Sequence, residues 1–335
     1  MILITSADHF VGHSITSHLA QFEHLRPHLR VLCQNKTPCL NFANNGIDVR
    51  QVNYLHPNDL ALAMRGVDVM VLAVGNEKER VSYCKRLCKA ASRCGVRSIV
   101  CISHVGAGAS SHETLQHYAS IEDEVISTDC QWTLLRLDWI QQYFHLWAPY
   151  VEKYRQLALP LPEDAEICPI DIIDVCRGVQ ELVLTDANRP RTMLHDDHVG
   201  QVYTLTGPQS VIGKQLVKWL SMATGYSKLG YRFVRLMDTR YYLEELPADI
   251  WFDARLKQEA RQMYNDPLDD SLNYRYRAFA APTATQIQTF LDYFDWVHKT
   301  SSSVVVPHAT AITYLPAQSI HTFFRENANR FKPRV

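Results

Sequence analysis

The chain has 335 residues, which is enough for one large domain with a smaller lobe or for two domains. Hydrophobic residues make up 47% of it and charged residues 21%, a globular composition that excludes extensive disorder. Because 34 basic residues are balanced by 35 acidic ones, no overall charge attracts nucleic acid or an anionic membrane. No apolar run approaches the roughly 20 residues that a membrane-spanning helix needs.

Cysteine usage and the first residues both predict a cytoplasmic protein, with the nucleus as the alternative. The chain has nine cysteines, an odd number, and we interpret them as reduced, buried apolar residues. The opening MILITSADHF is an apolar run without the basic leader of a secretory signal. No Cys-x-x-Cys pair occurs, so the sequence predicts no metal site.

Strand and helix patterns alternate along the first part of the chain. Apolar runs predict strands, the last with its loop, at 1–5, 30–35, 47–53, 68–75 and 96–108. Helical patterns fall between them at 11–22, 58–66 and 80–95. This alternation is typical of right-handed βαβ units, and it predicts an α/β fold with a doubly wound parallel sheet.

The later part of the chain predicts a smaller second region. A helix at 117–129 and a strand at 132–138 continue the alternation, and a late strand and helix follow at 202–208 and 211–225. We predict a larger domain over 1–225, with a lobe insertion near 140–166. Residues 226–335 then form a smaller, mostly helical C-terminal lobe that contacts a substrate or a partner.

The stretch ITSADHFVGHS, residues 4–14, has the spacing of a dinucleotide-binding turn but lacks two of its glycines. Gly12 remains and keeps the close packing of helix on strand. Ser6 is a mild replacement, whereas His9 puts an imidazole where phosphates normally lie against bare backbone. Two alternatives follow: the ring turns outward and donates to a phosphate when protonated, or it fills the site and excludes the dinucleotide.

Several segments, in this order, resemble the NmrA-like branch of the atypical short-chain dehydrogenase/reductase proteins. They are MILITSADHFVG, GIDVRQVNYLHPNDLALAMRGVDVMVLAVG, AASRCGVRSIVCISHVGA, CQWTLLRLDWIQQYF and IHTFFRENANRF. The resemblance implies a Rossmann-type NAD(P)-binding domain over 1–225. The eroded glycine turn predicts that NADP(H) binding is weak or lost.

The resemblance also implies where a dinucleotide would be contacted. The contact residues are Ser6, His9, Phe10, Val11, Gly12, Gln34, Asn35, Lys36, Asn53, Tyr54, Val74, Gly75 and Ser103. An acid at the end of the second strand would bind ribose hydroxyls, and a cation would accept a 2′-phosphate. Only Lys36 is charged in that segment, which favours NADP(H). Tyr54 is a candidate to stack on the adenine.

The catalytic pattern of hydride-transfer enzymes in this class, Tyr-x-x-x-Lys, is incomplete. Tyr118 is present, but Glu122 follows at the lysine position and would disfavour a phenolate. The lysine that many NmrA-like proteins place in this helix falls near Ile121. The candidate catalytic residues are therefore Tyr118, with His104 as a proton donor and Asp138 as a substrate-binding carboxylate.

Three functions are compatible with these features. The first is a regulatory or redox-sensor protein that binds NADP(H) weakly or not at all and contacts a protein partner. The second is an NADPH-dependent reductase of a small carbonyl or quinone compound, and the third is a cofactor-free isomerase or cyclase. A small-molecule ligand would bind in the cleft at the sheet edge. The Tyr- and Arg-rich segment 238–279 predicts a packed lobe rather than a nucleic-acid surface.

Overall fold

The computed structural model describes residues 1–247, 281–300 and 304–333, and seven parallel strands form its main sheet. The strands, in chain order, are β1 (Ile2–Ile4), β2 (Leu29–Cys33), β3 (Asp48–Gln51), β4 (Val69–Ala73), β5 (Ser98–His104), β6 (Gln131–Leu137), β7 (Gln156–Leu159), β8 (Gln201–Leu205) and β9 (Gly230–Phe233). Every residue of β1, β2 and β4 is buried, as expected of strands covered on both faces. The predicted doubly wound α/β fold is confirmed.

The strand order places a ligand-binding crevice beside β1. The main sheet runs β3-β2-β1-β4-β5-β6-β8, while β7 and β9 pair in a separate sheet. Ile4 in β1 lies opposite Val31 of β2 on one side and Val71 of β4 on the other. The chain reverses its direction of winding between these two neighbours, and open parallel sheets bind ligands at the carboxyl ends of the strands at such a point.

Helices cover the sheet and build the second region. They are α1 (Phe10–Leu19), α2 (Leu40–Asn44), α3 (Pro57–Ala63), α4 (Arg80–Cys94), α5 (Glu113–Ile126), α6 (Ala148–Tyr154), α7 (Ile172–Val183), α8 (Gly213–Thr224), α9 (Leu236–Glu244), α10 (Ala284–Thr300), α11 (His308–Thr313), α12 (Ile320–Glu326) and α13 (Ala328–Phe331). The helix α4 ends where Gly95 adopts a φ of 76°, a left-handed cap that glycine allows without strain. Within the described ranges, none of these helices combines the length and apolarity required to span a bilayer.

The chain divides into two compact units whose boundaries differ from the predicted ones. The first unit comprises Met1–Leu137, Ile173–Leu205 and His308–Leu315, and the second Asp138–Ile172, Thr206–Pro307 and Pro316–Val335. The predicted boundary at 225 falls inside the second unit, because the amphipathic helix α8 packs against α12 rather than on the main sheet. The predicted insertion near 140–166 lies in that unit too. Most of the Tyr- and Arg-rich segment 238–279 lies outside the described residues.

Candidate functional site

The turn between β1 and α1 keeps a glycine-like backbone although two glycines are replaced. Ser6 has a φ of 50°, the left-handed region that glycine favours, and its N–H donates to the Tyr54 hydroxyl at 3.0 Å. A Cβ added to Gly12 would approach the Thr5 carbonyl oxygen to 2.6 Å. The tight turn and the close helix–strand packing of a dinucleotide site are therefore both present.

The N-terminus of α1 opens into this turn without a capping side chain. His9 is the N-cap residue, with an extended backbone (φ −106°) and no side-chain cap hydrogen bond, and the first turn holds no acid. Half-buried Phe10 and Val11 form that first turn with Gly12. Backbone N–H groups at a helix start, together with the helix dipole, favour an anion, so the backbone fits a diphosphate.

Gly12→Ala is expected to lower the free energy of unfolding by about 1–3 kcal/mol, because the added methyl group forces backbone atoms of the turn apart. Chemical denaturation of the variant and the parent chain measures the difference. Gly108→Ala is the matched control, since a Cβ there meets nothing within 4 Å. Equal stability of the Gly12 and Gly108 variants would show that the close packing at Gly12 contributes nothing.

The His9 side chain is paired with Glu77, a residue that the sequence analysis missed. Its Nε2 lies 2.6 Å from Glu77 Oε1, and the two side chains are only 21% and 20% exposed. Burial alone would lower the pKa of His9, but the hydrogen bond and charge of Glu77, with Asp8, outweigh it and raise that pKa. Burial alone would raise the pKa of Glu77, and the bond and charge of His9, helped by Arg80, lower it instead. The pair is therefore an ion pair near pH 6.

This ion pair links the start of α1 to the loop after β4, and we call the space between these two segments the entrance of the predicted diphosphate site. Glu77 follows β4, and a Cβ added to Gly75 would collide with its carboxylate, so the carboxylate lies against the Gly75 backbone. Gly75 and half-buried Val74 were both predicted to contact a dinucleotide. The His9 ring therefore bridges α1 and the loop after β4, and both predicted outcomes for a bound dinucleotide stay predictions.

On the adenosine side of the crevice, the side chain of Asp8 reaches the end of β2. Its Oδ2 accepts hydrogen bonds from the N–H groups of Gln34 at 2.9 Å and Asn35 at 2.8 Å. Lys36 is exposed. The segment 33–36, at the end of β2, contains no acid, but in the folded chain Asp8, from the turn after β1, lies against that segment. The preference for NADP(H) stays a prediction.

Tyr54 and Asn53 have structural contacts that differ from their predicted roles. Tyr54 is 2% exposed, packs against Tyr83 with ring centroids 5.4 Å apart, and accepts the Ser6 N–H. A buried ring leaves no face for an adenine, so Tyr54 holds the turn rather than a base. Asn53 is exposed, and its Oδ1 accepts the Leu55 N–H at 2.9 Å, which closes the turn after β3.

Glu122 does not face the Tyr118 phenol, contrary to the expectation from their spacing. It is buried and accepts the Ser103 hydroxyl at 2.5 Å and two guanidinium hydrogen bonds from Arg136 at 2.8 and 2.6 Å. The bidentate hydrogen bonds of Arg136 compensate the charge of this carboxylate, and the hydrogen bond with Glu122 raises the pKa of Arg136. The Ser103 hydroxyl donates its proton to Glu122. The predicted contact of Ser103 with a cofactor stays a prediction.

The cation beside Tyr118 is Arg80, a second residue that the sequence analysis missed. Arg80 begins α4 and is 1% exposed; its Nη1 lies 3.4 Å from the Tyr118 hydroxyl, and its guanidinium carbon 4.6 Å from the ring centroid. Nη2 donates to the Thr114 carbonyl oxygen at 2.6 Å. Within the described part of the chain, Arg80 forms no ion pair. Its charge also helps to lower the pKa of Glu77, and a buried cation without a direct ion pair is typical of functional sites.

His104 completes this cluster as a neutral imidazole. Its ring centroid lies 5.2 Å from that of Tyr118, and its Nδ1 accepts the Gly106 N–H at 3.0 Å. Burial, with the charge of Arg80, lowers the pKa of His104 to about 3. At physiological pH the ring carries one proton only, which does not support the prediction of His104 as the proton donor. Tyr118 holds the remaining O–H of the cluster.

Asp138 is bound within the second unit. It is 2% exposed, and its Oδ1 accepts the Tyr293 hydroxyl at 2.5 Å and the Trp139 N–H at 2.6 Å. Burial raises the pKa of Tyr293, and the negative charge of Asp138 raises it further. These bonds give Asp138 a packing role and do not support its prediction as a substrate ligand.

Comparisons with known proteins agree with this geometry. Residues 7–143 match a family model described as NAD(P)H-binding. A (4-alkanoyl-5-oxo-2,5-dihydrofuran-3-yl)methyl phosphate reductase from Streptomyces griseus subsp. griseus is 26% identical over 227 residues, which are 67% of this chain and 74% of that protein.

Solved structures show the same fold over nearly the whole chain. An NADPH-dependent quinone oxidoreductase from Escherichia coli, in complex with NADPH, has a TM-score of 0.70 at 19% identity, with 97% of this chain and 98% of that one covered. NmrA, a negative transcriptional regulator in complex with NADP, has a TM-score of 0.63 at 10% identity over 97% and 94% of the two chains. These likenesses confirm the predicted Rossmann-type fold, which the chain shares with both proteins.

Proposed function

We propose that this chain is a nicotinamide-dependent reductase of a small quinone or carbonyl compound, because residues 7–143 match a family model described as NAD(P)H-binding. The observation that carries the proposal is the contact of Arg80 with the Tyr118 hydroxyl, 3.4 Å long, beside the carboxyl end of β5. It puts a proton donor and a cation near the strand ends at which open α/β sheets bind ligands.

The chain's own residues supply the proton and the electrostatic stabilisation. A bound nicotinamide coenzyme would provide the hydride. Tyr118 would give its proton to the acceptor oxygen, and Arg80 would hold the phenol and stabilise the negative charge as it develops. His104, kept neutral, packs against the phenol without repelling the cation.

The turn between β1 and α1 supports coenzyme binding as part of this proposal. Its left-handed Ser6, its close-packed Gly12 and the uncapped start of α1 fit a diphosphate. The Streptomyces relative is named as a reductase, and the Escherichia coli neighbour was solved with NADPH. The ion pair of His9 with Glu77 must open before a coenzyme enters.

A redox-sensor or regulatory protein is the second candidate, and one observation favours it. The ion pair of His9 with Glu77 would weaken coenzyme binding, so that occupancy would follow the coenzyme concentration in the cell. Such a sensor would act through a protein partner. The cofactor-free isomerase or cyclase has less support, because the Asp138 carboxylate that it needs is bonded to Tyr293 and Trp139.

Titration of the purified chain with NADH and NADPH, followed by coenzyme fluorescence, tests the proposal. We expect binding, and oxidation of the bound coenzyme when a quinone such as 1,4-naphthoquinone is added. Binding without oxidation by any quinone, aldehyde or enone would favour the sensor. The absence of binding at millimolar coenzyme, in both the parent chain and His9→Gly, would overturn the reductase and a sensor that responds to coenzyme, and would leave a regulatory protein that binds none.

A further inference from the structure

Asp8 lies where a Rossmann-type site meets the adenosine ribose. Its Oδ2 ties the first turn to the backbone N–H groups of Gln34 and Asn35, directly after β2. In other proteins of this fold, an acidic side chain at the end of the second strand accepts hydrogen bonds from the ribose hydroxyls. Here the acid comes from the neighbouring turn, and the two hydrogen bonds hold it at the end of β2.

The second oxygen of the Asp8 carboxylate has no donor. Oδ1 is buried and has no hydrogen-bond partner among the described residues. A buried carboxylate oxygen without a donor costs free energy, and nearly all such atoms in folded proteins are satisfied. A ligand that donates a hydrogen bond would satisfy this atom, and a ribose hydroxyl is an O–H donor of the right kind.

We infer that Asp8 makes this chain select NADH over NADPH by accepting a hydrogen bond from the 2′-hydroxyl of the adenosine ribose. The inference rests on the proposed function, because it names the coenzyme of that same site. In NADPH a 2′-phosphate replaces the hydroxyl, so the donor is lost and two anions meet. Exposed Lys36 is the one cation in residues 34–36, and its charge is screened by water.

Asp8→Asn is the decisive variant because it removes the charge and keeps the shape. The amide oxygen still accepts the N–H groups of Gln34 and Asn35, so the turn stays tied to β2. Lys36→Met is the matched control for charge at the same end of the strand. All affinities are measured twice, in the parent chain and in a Glu77→Gln background, because the entrance pair affects both coenzymes alike.

We expect the parent chain to bind NADH at least about tenfold more tightly than NADPH, and Asp8→Asn to bring the two dissociation constants within about threefold. Lys36→Met leaves the preference for NADH in place. Tighter binding of NADPH by the parent chain, or an equal loss for both coenzymes in Asp8→Asn, overturns the inference and leaves the proposed function standing. Binding of neither coenzyme in either background rejects the proposed function itself.

Discussion

Glu77→Gln is expected to bind NADH and NADPH about tenfold more tightly than the parent chain, because opening the entrance no longer breaks an ion pair. A hydrogen bond between charged groups contributes about 1.5–3 kcal/mol, and 1.4 kcal/mol corresponds to a factor of ten in affinity. The substitution also removes an anion that lies against the Gly75 backbone, where the diphosphate would approach. Fluorescence titration of each coenzyme measures the change.

The matched control for this prediction is Glu79→Gln. Glu79 is exposed two residues further along and forms no side-chain cap on α4, so its removal changes the net charge equally without touching His9. We expect its effect on affinity to stay below about twofold, since exposed charges are strongly screened. An equal gain in both variants would mean that net charge, rather than the ion pair of His9 with Glu77, limits coenzyme binding.

The contribution of this ion pair to stability should depend on pH with a defined sign. Folding raises the pKa of His9 above its ordinary 6.5, so its contribution is complete below pH 6.5 and is lost as the pH rises through the raised value. Folding lowers the pKa of Glu77 below its ordinary 4.5, so its contribution is complete above pH 4.5 and is lost as the pH falls through the lowered value. The pair is therefore strongest between pH 4.5 and 6.5.

The melting temperatures of the parent chain and Glu77→Gln, measured from pH 5.5 to pH 9, test this dependence. The parent chain should be the more stable at pH 5.5, and the difference should shrink towards alkaline pH as His9 loses its proton. The affinity gain of Glu77→Gln should shrink over the same range. A difference that does not change with pH would show that the bond between His9 and Glu77 carries no charge.

Tyr118→Phe is expected to lower turnover by about 10²- to 10⁴-fold, the usual contribution of a positioned general acid, and to leave coenzyme affinity unchanged. The loss is this large because His104, with its pKa lowered to about 3, stays a neutral imidazole, whose N–H is a far weaker acid than the phenol. Steady-state oxidation of the coenzyme by a quinone gives kcat, and fluorescence titration gives the affinity.

Tyr83→Phe controls for the loss of a hydroxyl group in the same unit. Tyr83 is half-buried and packs against Tyr54 rather than against Arg80, so its turnover should match that of the parent chain. Turnover of Tyr118→Phe within about threefold of the parent would mean that water supplies the proton. In that case the contact of Arg80 with Tyr118 would not carry the proposed function.

The sequence predicts the sheet well because buried parallel strands leave a strong local signal. The runs at 1–5 and 68–75 contain β1 and β4, and Gly12 was identified by its spacing alone. The partners of the site residues were not predictable in this way. Glu77 meets His9 across 68 positions of the chain, and Asp8 meets Gln34 across 26.

The four-residue spacing of a helix predicted Glu122 as the neighbour of the Tyr118 phenol, and this prediction was wrong. Glu122, four residues on, turns instead to Arg136, which stands on the adjacent strand β6. One local signal for Arg80 was available: an arginine at the start of a helix opposes the helix dipole and is unfavourable unless another role holds it there. Which acid pairs with which base is decided by the assembled sheet.

The hydroxyl of Tyr54 has a wider consequence for how this fold evolves. The Tyr54 hydroxyl accepts the Ser6 N–H and so stabilises a left-handed backbone that glycine would adopt without strain. A core residue outside the glycine motif thus helps to hold the turn. A chain of this fold can therefore carry serine in place of the first glycine and keep the backbone of the turn, as long as the Tyr54 hydroxyl is present. A motif search that requires every glycine would miss such chains, although their first turn has the same backbone.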